Sequence, residues 1–378
     1  MSDRLLHFLR VLLKRELSFN RPLPRHRGHY LRTQAFLQAD SSMRHETRTG
    51  FFSPLDATYP TLAEVLTNQG YVTGGFSANN IFCRVEHGLA RGFSHYEDYV
   101  ASAREFARSS ALIRFALAQQ WVRRLLGYYE MLHRKPAPRI TKDFLTWVDR
   151  VPNDRPFFAF LNYFDAHIPY LCPEGFACRF GSTNQLYKFL DRSGRGRLFA
   201  SDSTAEEIES IRNAYDGCIA YLDDNLKQLF DELKKRGLFD RTLLIIVSDH
   251  GEEFGEHIII GHGNDLHIQS LRVPLILRLP DIVPVDVIVQ EPVTLRDIPT
   301  TVIDLLGFPD NGLFPGQSLE RYWSRHGTEK PEDNELVLSE ISQKNWVVGL
   351  PVEKGDMKSL VIGDMHYILE WRQYRGGL

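Results

Sequence analysis

The stretch LLIIVSDHGEEFGEHIIIGHG, residues 243–263, decides how the rest of the chain is read. It opens on a run of Leu and Ile from Leu243 to Val247. A short, uniformly apolar run bounded by polar residues predicts a strand buried on both faces, central in a parallel sheet. Asp249, His250 and Gly251 follow at once. In open α/β sheets, ligands bind just beyond the carboxyl ends of the strands. A carboxylate and an imidazole side by side at that place suit a divalent cation. Both lie past the strand, where Gly251 would let the backbone turn them inward. His262 comes thirteen residues after Asp249, between Gly261 and Gly263, and His257 lies between the two. Glycines on both sides of a histidine allow close backbone approach to a ligand. A plainer reading is also open: Asp249 could cap a helix beginning near Gly251.

Outward from this stretch, the chain alternates helices and strands. Residues 205–237 read as one long helix that feeds the strand. Ser203 or Thr204 would cap it, Glu206 and Glu207 fill the first turn, Lys234, Lys235 and Arg236 the last, and Gly237 stops it. That charge order complements the helix dipole. Its apolar stripe is Ile208, Ile211, Tyr215, Ile219, Leu222, Leu226, Leu229 and Leu233. Downstream, VPLILRLP (273–280) predicts a strand and VTLRDIPTTVIDLLG (293–307) a helix closed by Gly307. Four further strands, 336–341, 346–351, 359–364 and 366–371, follow without helices between them, which predicts a small antiparallel sheet.

Upstream, YPTLAEVLTNQGYVTGGFSANN (59–80) reads as a helix, a turn at Gly70 and a strand ending at Phe76, followed by Asn79 and Asn80. The asparagines could be a simple turn pair, or amide donors to an oxyanion. Residues 102–150 read as helical. RPFFAFLNYF (155–164) is another buried strand and leads into DAHIPY, with His167. Residues 171–203 read as a long surface excursion. Residues 4–17 form an amphipathic basic helix, which could touch an anionic membrane surface or dock on its own protein.

SDHGEEFGEH…GHG with LRVPLILRLP (271–280) resembles the metal-binding segment of the sulfatase family, in the alkaline phosphatase superfamily. HGLARGFSHYEDY (87–99), DAHIPY and the 293–307 helix resemble further motifs of that family, and the likeness runs from about residue 45 onward. The resemblance implies a three-layer α/β/α fold with a mostly parallel central sheet, plus the C-terminal antiparallel strands. It divides the chain into a basic arm (1–44), a sulfatase-like domain (45–330) and C-terminal strands (331–378). It implies that Asp249 and His250 bind one divalent metal ion, Ca²⁺, Mg²⁺ or Mn²⁺. His250 stands where many sulfatases carry Asn, which tilts the choice toward Mn²⁺ or Zn²⁺. His262 falls where the family holds the anionic group of the substrate, and Asn79 near its Lys and His. His167 falls on the histidine that protonates the leaving group or grips the anion.

Two family features are not found. No early apolar strand ends in paired Asp, and no C-x-P-x-R or S-x-P-x-R, the formylglycine motif, exists in the sequence. The chain is therefore expected to enter the family pattern after the nucleophile, with Ser41, Ser42 or Thr47 as substitute candidates. Three functions compete. One is a metal-dependent hydrolase of small-molecule or glycan sulfate, phosphate or phosphonate esters. The others are a truncated or diverged non-catalytic homologue and a phospho-alcohol transferase.

Composition bounds the rest. Of 378 residues, 43% are hydrophobic and 25% charged, which suits a folded globular protein. The net charge of −3 excludes bulk attraction to nucleic acid. The ten Lys and Arg against four Asp and Glu in residues 1–50 read as a solvated arm. Cys83, Cys172, Cys178 and Cys218 match no zinc spacing and read as thiols of a reducing compartment. With no transmembrane-length segment and no signal peptide pattern, the cytoplasm is expected.

Overall fold

A computed structural model gives the architecture. It describes residues 17–19, 55, 58–80, 82–99, 110, 122, 134–173, 175–193, 202–257, 259–263, 265–309, 311–324, 336–342, 351–353 and 355–370. Outside the described residues lie the helix expected over 4–17 save its last residue, and Ser41, Ser42 and Thr47. So do most of the 102–133 region, the strand expected over 346–351 save its last residue, and both expected domain boundaries.

In chain order the elements begin with β1 (Leu17–Phe19), α1 (Leu62–Asn68), β2 (Val72–Ser77) and β3 (His95–Glu97). Next come α2 (Ala137–Val148), β4 (Phe157–Asn162), α3 (Leu186–Ser193) and α4 (Ala205–Lys235). Then follow β5 (Leu244–Val247), β6 (Glu253–Phe254), β7 (Ile260–Gly261), α5 (Ile268–Leu271) and β8 (Leu275–Arg278). The chain closes with β9 (Ile288–Val289), α6 (Asp297–Leu305), β10 (Leu336–Ile341), β11 (Met357–Ile362) and β12 (Met365–Glu370). These sort into two compact units. The first comprises residues 1–8, 63–232 and 254–260, the second 9–62, 233–253 and 261–378.

The first unit holds a parallel sheet in the order β3-β2-β4. Two glycines in β2 make room for aromatic rings. A Cβ added at Gly74 would stand 2.8 Å from the Trp147 ring, and one at Gly75 2.4 Å from Tyr96. Phe76 is fully buried, with Phe144 and Trp147 at centroid distances of 5.9 and 5.7 Å. α2 supplies those rings because Ile140, Phe144 and Val148 recur every four residues and share one buried face. α4 starts on a reciprocal capping box: Glu207 N–H donates to Thr204 Oγ1 (3.2 Å) and Thr204 N–H to Glu207 Oε2 (3.0 Å). Its buried face is rotated from the expected stripe. Ala214, Gly217 and Cys218 lie deepest with Ile211, while Ile219 is half-buried. Small residues let the helix pack closely; a Cβ at Gly217 would stand 2.7 Å from the Phe176 carbonyl.

The second unit holds a four-stranded mixed sheet in the order β5-β8-β1-β9. β8 runs antiparallel to both β5 and β1, and β1 parallel to β9. This corrects one expectation: among the described residues β5 ends the sheet, pairs antiparallel and is half-buried along its length. β8 is an interior strand, with Leu275, Ile276 and Leu277 at most 4% exposed. An apolar run reports the wish for burial, not the number of strand neighbours. β1 comes from the arm, where a helix end was expected, and takes an interior place in the sheet.

The 293–307 motif is structural. Asp297, 1% exposed, accepts from the Gln317 N–H (3.0 Å), and Thr301 donates to the Asp297 carbonyl (2.6 Å) while accepting from the Leu319 N–H (2.9 Å). Gly307 closes the helix at φ 71°, as expected. β10, β11 and β12 form the antiparallel meander expected at the C-terminal end.

Candidate functional site

In the second unit the residues after β5 bring three of the expected side chains together. Asp249 Oδ1 lies 3.5 Å from His250 Nε2, with the Asp249 side chain 40% exposed and that of His250 12%. His250 Nδ1 lies 2.6 Å from the Gly251 carbonyl oxygen. A carbonyl can only accept, so Nδ1 carries the proton and Nε2 keeps the lone pair on the side of Asp249. Metal-binding histidines are oriented by such a bond from the other ring nitrogen. Two side-chain atoms bound to one ion at about 2.0–2.5 Å stand about 2.8–4.0 Å apart. One carboxylate and one imidazole at the observed spacing therefore fit a divalent cation.

The His262 ring lies 4.6 Å from that of His250, centroid to centroid, at 44°. Its Nδ1 is 2.7 Å from Oε1 of Glu252, whose side chain is 3% exposed. Glu252 was not singled out in the sequence; its place two residues after His250 was the available signal. Nearby, His267 Nδ1 lies 3.2 Å from Oδ1 of the buried Asp265. Among the described residues, Glu253, His257 and His267 offer ligand atoms that all lie within 4.8 Å of one another, a second grouping that could hold a cation. Gly251 serves close packing: its N–H donates to the Ser270 carbonyl at 2.7 Å, and a Cβ there would stand 1.8 Å from the Gln269 carbonyl oxygen. No helix starts at Gly251, since β6 follows, so Asp249 is not a helix cap.

His167 and Asn79 belong to the first unit. They follow the carboxyl ends of β4 and β2, which pair in parallel with Ser77 opposite Asn162. Asn162 Oδ1 accepts the Asn79 backbone N–H at 3.0 Å. Asn79 Oδ1 accepts from the Phe82 N–H at 3.1 Å, so the turn uses the carbonyl end of this amide and the NH₂ end is its donor. Asn80 is 3% exposed, and neither end of its amide has a hydrogen-bond partner. A buried unsatisfied amide at a strand end is a stronger candidate donor than a turn residue.

His167 is held from two sides. Its Nδ1 donates to the Ile168 carbonyl (2.7 Å), and its ring stacks on Phe164 at 4.1 Å. Arg134 donates to the carbonyls of Asp165 (2.9 Å) and His167 (3.3 Å), and Asp165 Oδ1 accepts from the Ala137 N–H at 3.1 Å. Arg134 is bridged to the Asn79 backbone, which ties the β2 and β4 ends together. Lys135 beside it is 1% exposed, with carboxylates of Glu97 and Asp143 at 3.7 and 3.8 Å. Burial pushes the Lys135 pKa down against the pull of those two carboxylates. Neither Arg134 nor Asp165 was expected as a site residue, because each acts through contacts made across the sequence.

A carboxylate and two imidazoles are thus gathered beyond a strand of an α/β fold. The sequence pattern of the family described as Sulfatase matches residues 23–308, and the chain belongs to that family. The match starts further upstream than the motifs quoted above and ends near the close of α6. A multifunctional alkaline phosphatase superfamily protein, PehA, of Trinickia caryophylli is 28% identical over 148 residues, covering 33% of this chain and 29% of its own. Choline-sulfatase of Rhizobium meliloti is 35% identical over 106 residues, covering 28% and 20%. The chain thus matches less than a third of the length of either relative. The crystal structure of the phosphonate monoester hydrolase of Agrobacterium radiobacter superposes with a TM-score of 0.67 at 20% identity, over 95% of this chain and 81% of that one. The fold is the alkaline-phosphatase-like α/β fold expected from the motifs.

Proposed function

We propose that the protein is a metal-dependent hydrolase of sulfate, phosphate or phosphonate esters, small-molecule or glycan. One observation carries the reading: Asp249 Oδ1 and His250 Nε2 stand 3.5 Å apart with the His250 ring locked from behind. These two side chains would hold the cation, Ca²⁺, Mg²⁺ or Mn²⁺. When bound, it supplies polarisation of an ester oxygen and of the attacking group. His262 would grip a non-bridging oxygen, and Asn79 or its buried neighbour Asn80 would donate to an ester oxygen. His167 protonates the leaving oxygen from Nε2, since Nδ1 is committed to Ile168. Ser41, Ser42 and Thr47 are the candidate nucleophiles. Cys83, Cys172, Cys178 and Cys218 are free thiols, and the cytoplasm is proposed on their spacing in the sequence alone. No described helix is long and apolar enough to cross a membrane; the basic amphipathic pattern of residues 4–17 suits contact with an anionic membrane surface.

The test is turnover of p-nitrophenyl sulfate, p-nitrophenyl phosphate and p-nitrophenyl phenylphosphonate with Mn²⁺, Mg²⁺ or Ca²⁺. Product should form with at least one pair and vanish in Asp249→Ala. A wild type no faster than that variant on every pair would remove the enzyme. One observation favours a second reading, a non-catalytic homologue: no formylglycine motif is present in the sequence. Product formed on an added alcohol instead of water would point to the transferase.

A further inference from the structure

We infer that Cys172 and Cys218 form a dithiol site that hydrogen peroxide converts to a disulfide, fastening the segment that follows His167 to α4. Cys172 comes two residues after Tyr170, the end of the DAHIPY turn. Cys218 lies on the buried face of α4, 1% exposed. Both belong to the first unit. The two side chains meet because Gly217, the residue before Cys218, carries none. A Cβ there would stand 3.1 Å from Cys172 Sγ, so that sulfur sits over the bare α-carbon of the helix. The two thiols are hydrogen-bonded to each other. Tyr170, Ile211 and Ala214 belong to the apolar cluster that holds Cys218, and Cys172 packs against it.

The two sulfurs stand in different surroundings. Cys172 is half-buried, so a small oxidant can reach it, whereas Cys218 is buried. The bond to Cys218 holds the Cys172 thiol below its ordinary pKa, against the opposing effect of partial burial. That same bond, then burial, pushes Cys218 up. Arg134 favours a charge on Cys218 and Asp165 opposes it. The thiolate is the nucleophile, so Cys172 attacks and Cys218 resolves. The Cys172 sulfur bonds to one peroxide oxygen, the O–O bond breaks, and the departing hydroxide takes up the proton that Cys172 released. A sulfenic acid and one water result. The Cys218 sulfur then bonds to the Cys172 sulfur, the S–O bond breaks, and the departing hydroxide leaves with the Cys218 proton as a second water. In all, two electrons pass from the sulfurs to the peroxide. Cys178 is exposed, but its Sγ meets Thr183 Oγ1 at 3.9 Å.

The experiment treats the reduced full chain with hydrogen peroxide, blocks the remaining thiols with an alkylating agent and maps the peptides by mass. The wild type should lose both thiol hydrogens and yield a linked pair, Cys172 with Cys218, which dithiothreitol returns to free thiols. Cys172 should be consumed at least about 10-fold faster than Cys178. Cys218→Ser should stop at the Cys172 sulfenic acid, captured by dimedone. Cys172→Ser should form no disulfide and leave Cys218 reduced. Cys178→Ser should behave as the wild type. Oxidation confined to Cys178 would overturn the inference. So would a bond from Cys172 to Cys178, or survival of both Cys172 and Cys218 as thiols. If Cys218→Ser fails to fold, the wild-type map and Cys172→Ser decide. No ester is turned over in this assay, so its outcome is independent of whether the protein is a hydrolase.

Discussion

The ends of β4 and β5 carry the same local device in different surroundings. After each strand a histidine gives its Nδ1–H to the very next carbonyl, at 2.7 Å for His167 and 2.6 Å for His250. Around His167 stand an aromatic ring and a guanidinium that braces the carbonyls of its loop. Around His250 stand a carboxylate and a second imidazole backed by another carboxylate. The lock fixes which nitrogen is presented; the neighbours decide what that nitrogen is for. Negative neighbours suit a cation ligand, whereas an aromatic stack holds the His167 ring in place without adding negative charge.

The comparison breaks hardest at Asp249. Asp249→Ala should lower turnover more than about 10³-fold and abolish Mn²⁺ binding by equilibrium dialysis. Retention of both would remove the metal from the β5 end. Next, His167→Ala should cost about 10²–10⁴-fold in kcat while leaving Mn²⁺ affinity as it was. Lost metal affinity there would mean that the two histidines do not differ in the way their neighbours indicate. Arg134→Met frees the carbonyls of the His167 loop. It should cost about 10–10²-fold in kcat through misplacement, with little change in thermal midpoint. An unaltered kcat would show that the Phe164 stack alone holds the ring.

The smallest effect lies on α4. Asp223 is pushed up from its ordinary 3.8 to about 6 by burial, then by the neighbouring Asp224, against the pull of Arg179. Folding therefore favours the protonated form. This group's stabilising contribution is complete below pH 4 and is lost as pH rises through about 6. Asp223→Asn should be more stable than wild type at pH 7 by about 1 kcal/mol, the full linkage being discounted for partial exposure. At pH 4 the two should match. Equal denaturation midpoints at pH 7 would show that solvent reaches this carboxylate freely.

Much was legible from local pattern alone. Helical periodicity, the cap at Thr204 and the stop at Gly237 reproduce α4, because these are bonds between residues a few positions apart. The antiparallel strands near the C-terminal end and the Asp249-His250 pair past a strand were likewise written in adjacent residues. Chemistry that depends on neighbours in the chain can be read in one dimension. What only the tertiary structure decided is contact between distant positions. It placed β5 at the end of a mixed sheet, let a strand from the arm enter that sheet, and turned α4 onto its small residues. It also set Arg134 behind His167 and Glu252 behind His262. Neither pairing has a fixed spacing that a sequence could display. A long-range hydrogen bond is set by where two backbones are carried, and that depends on the packing of everything between them.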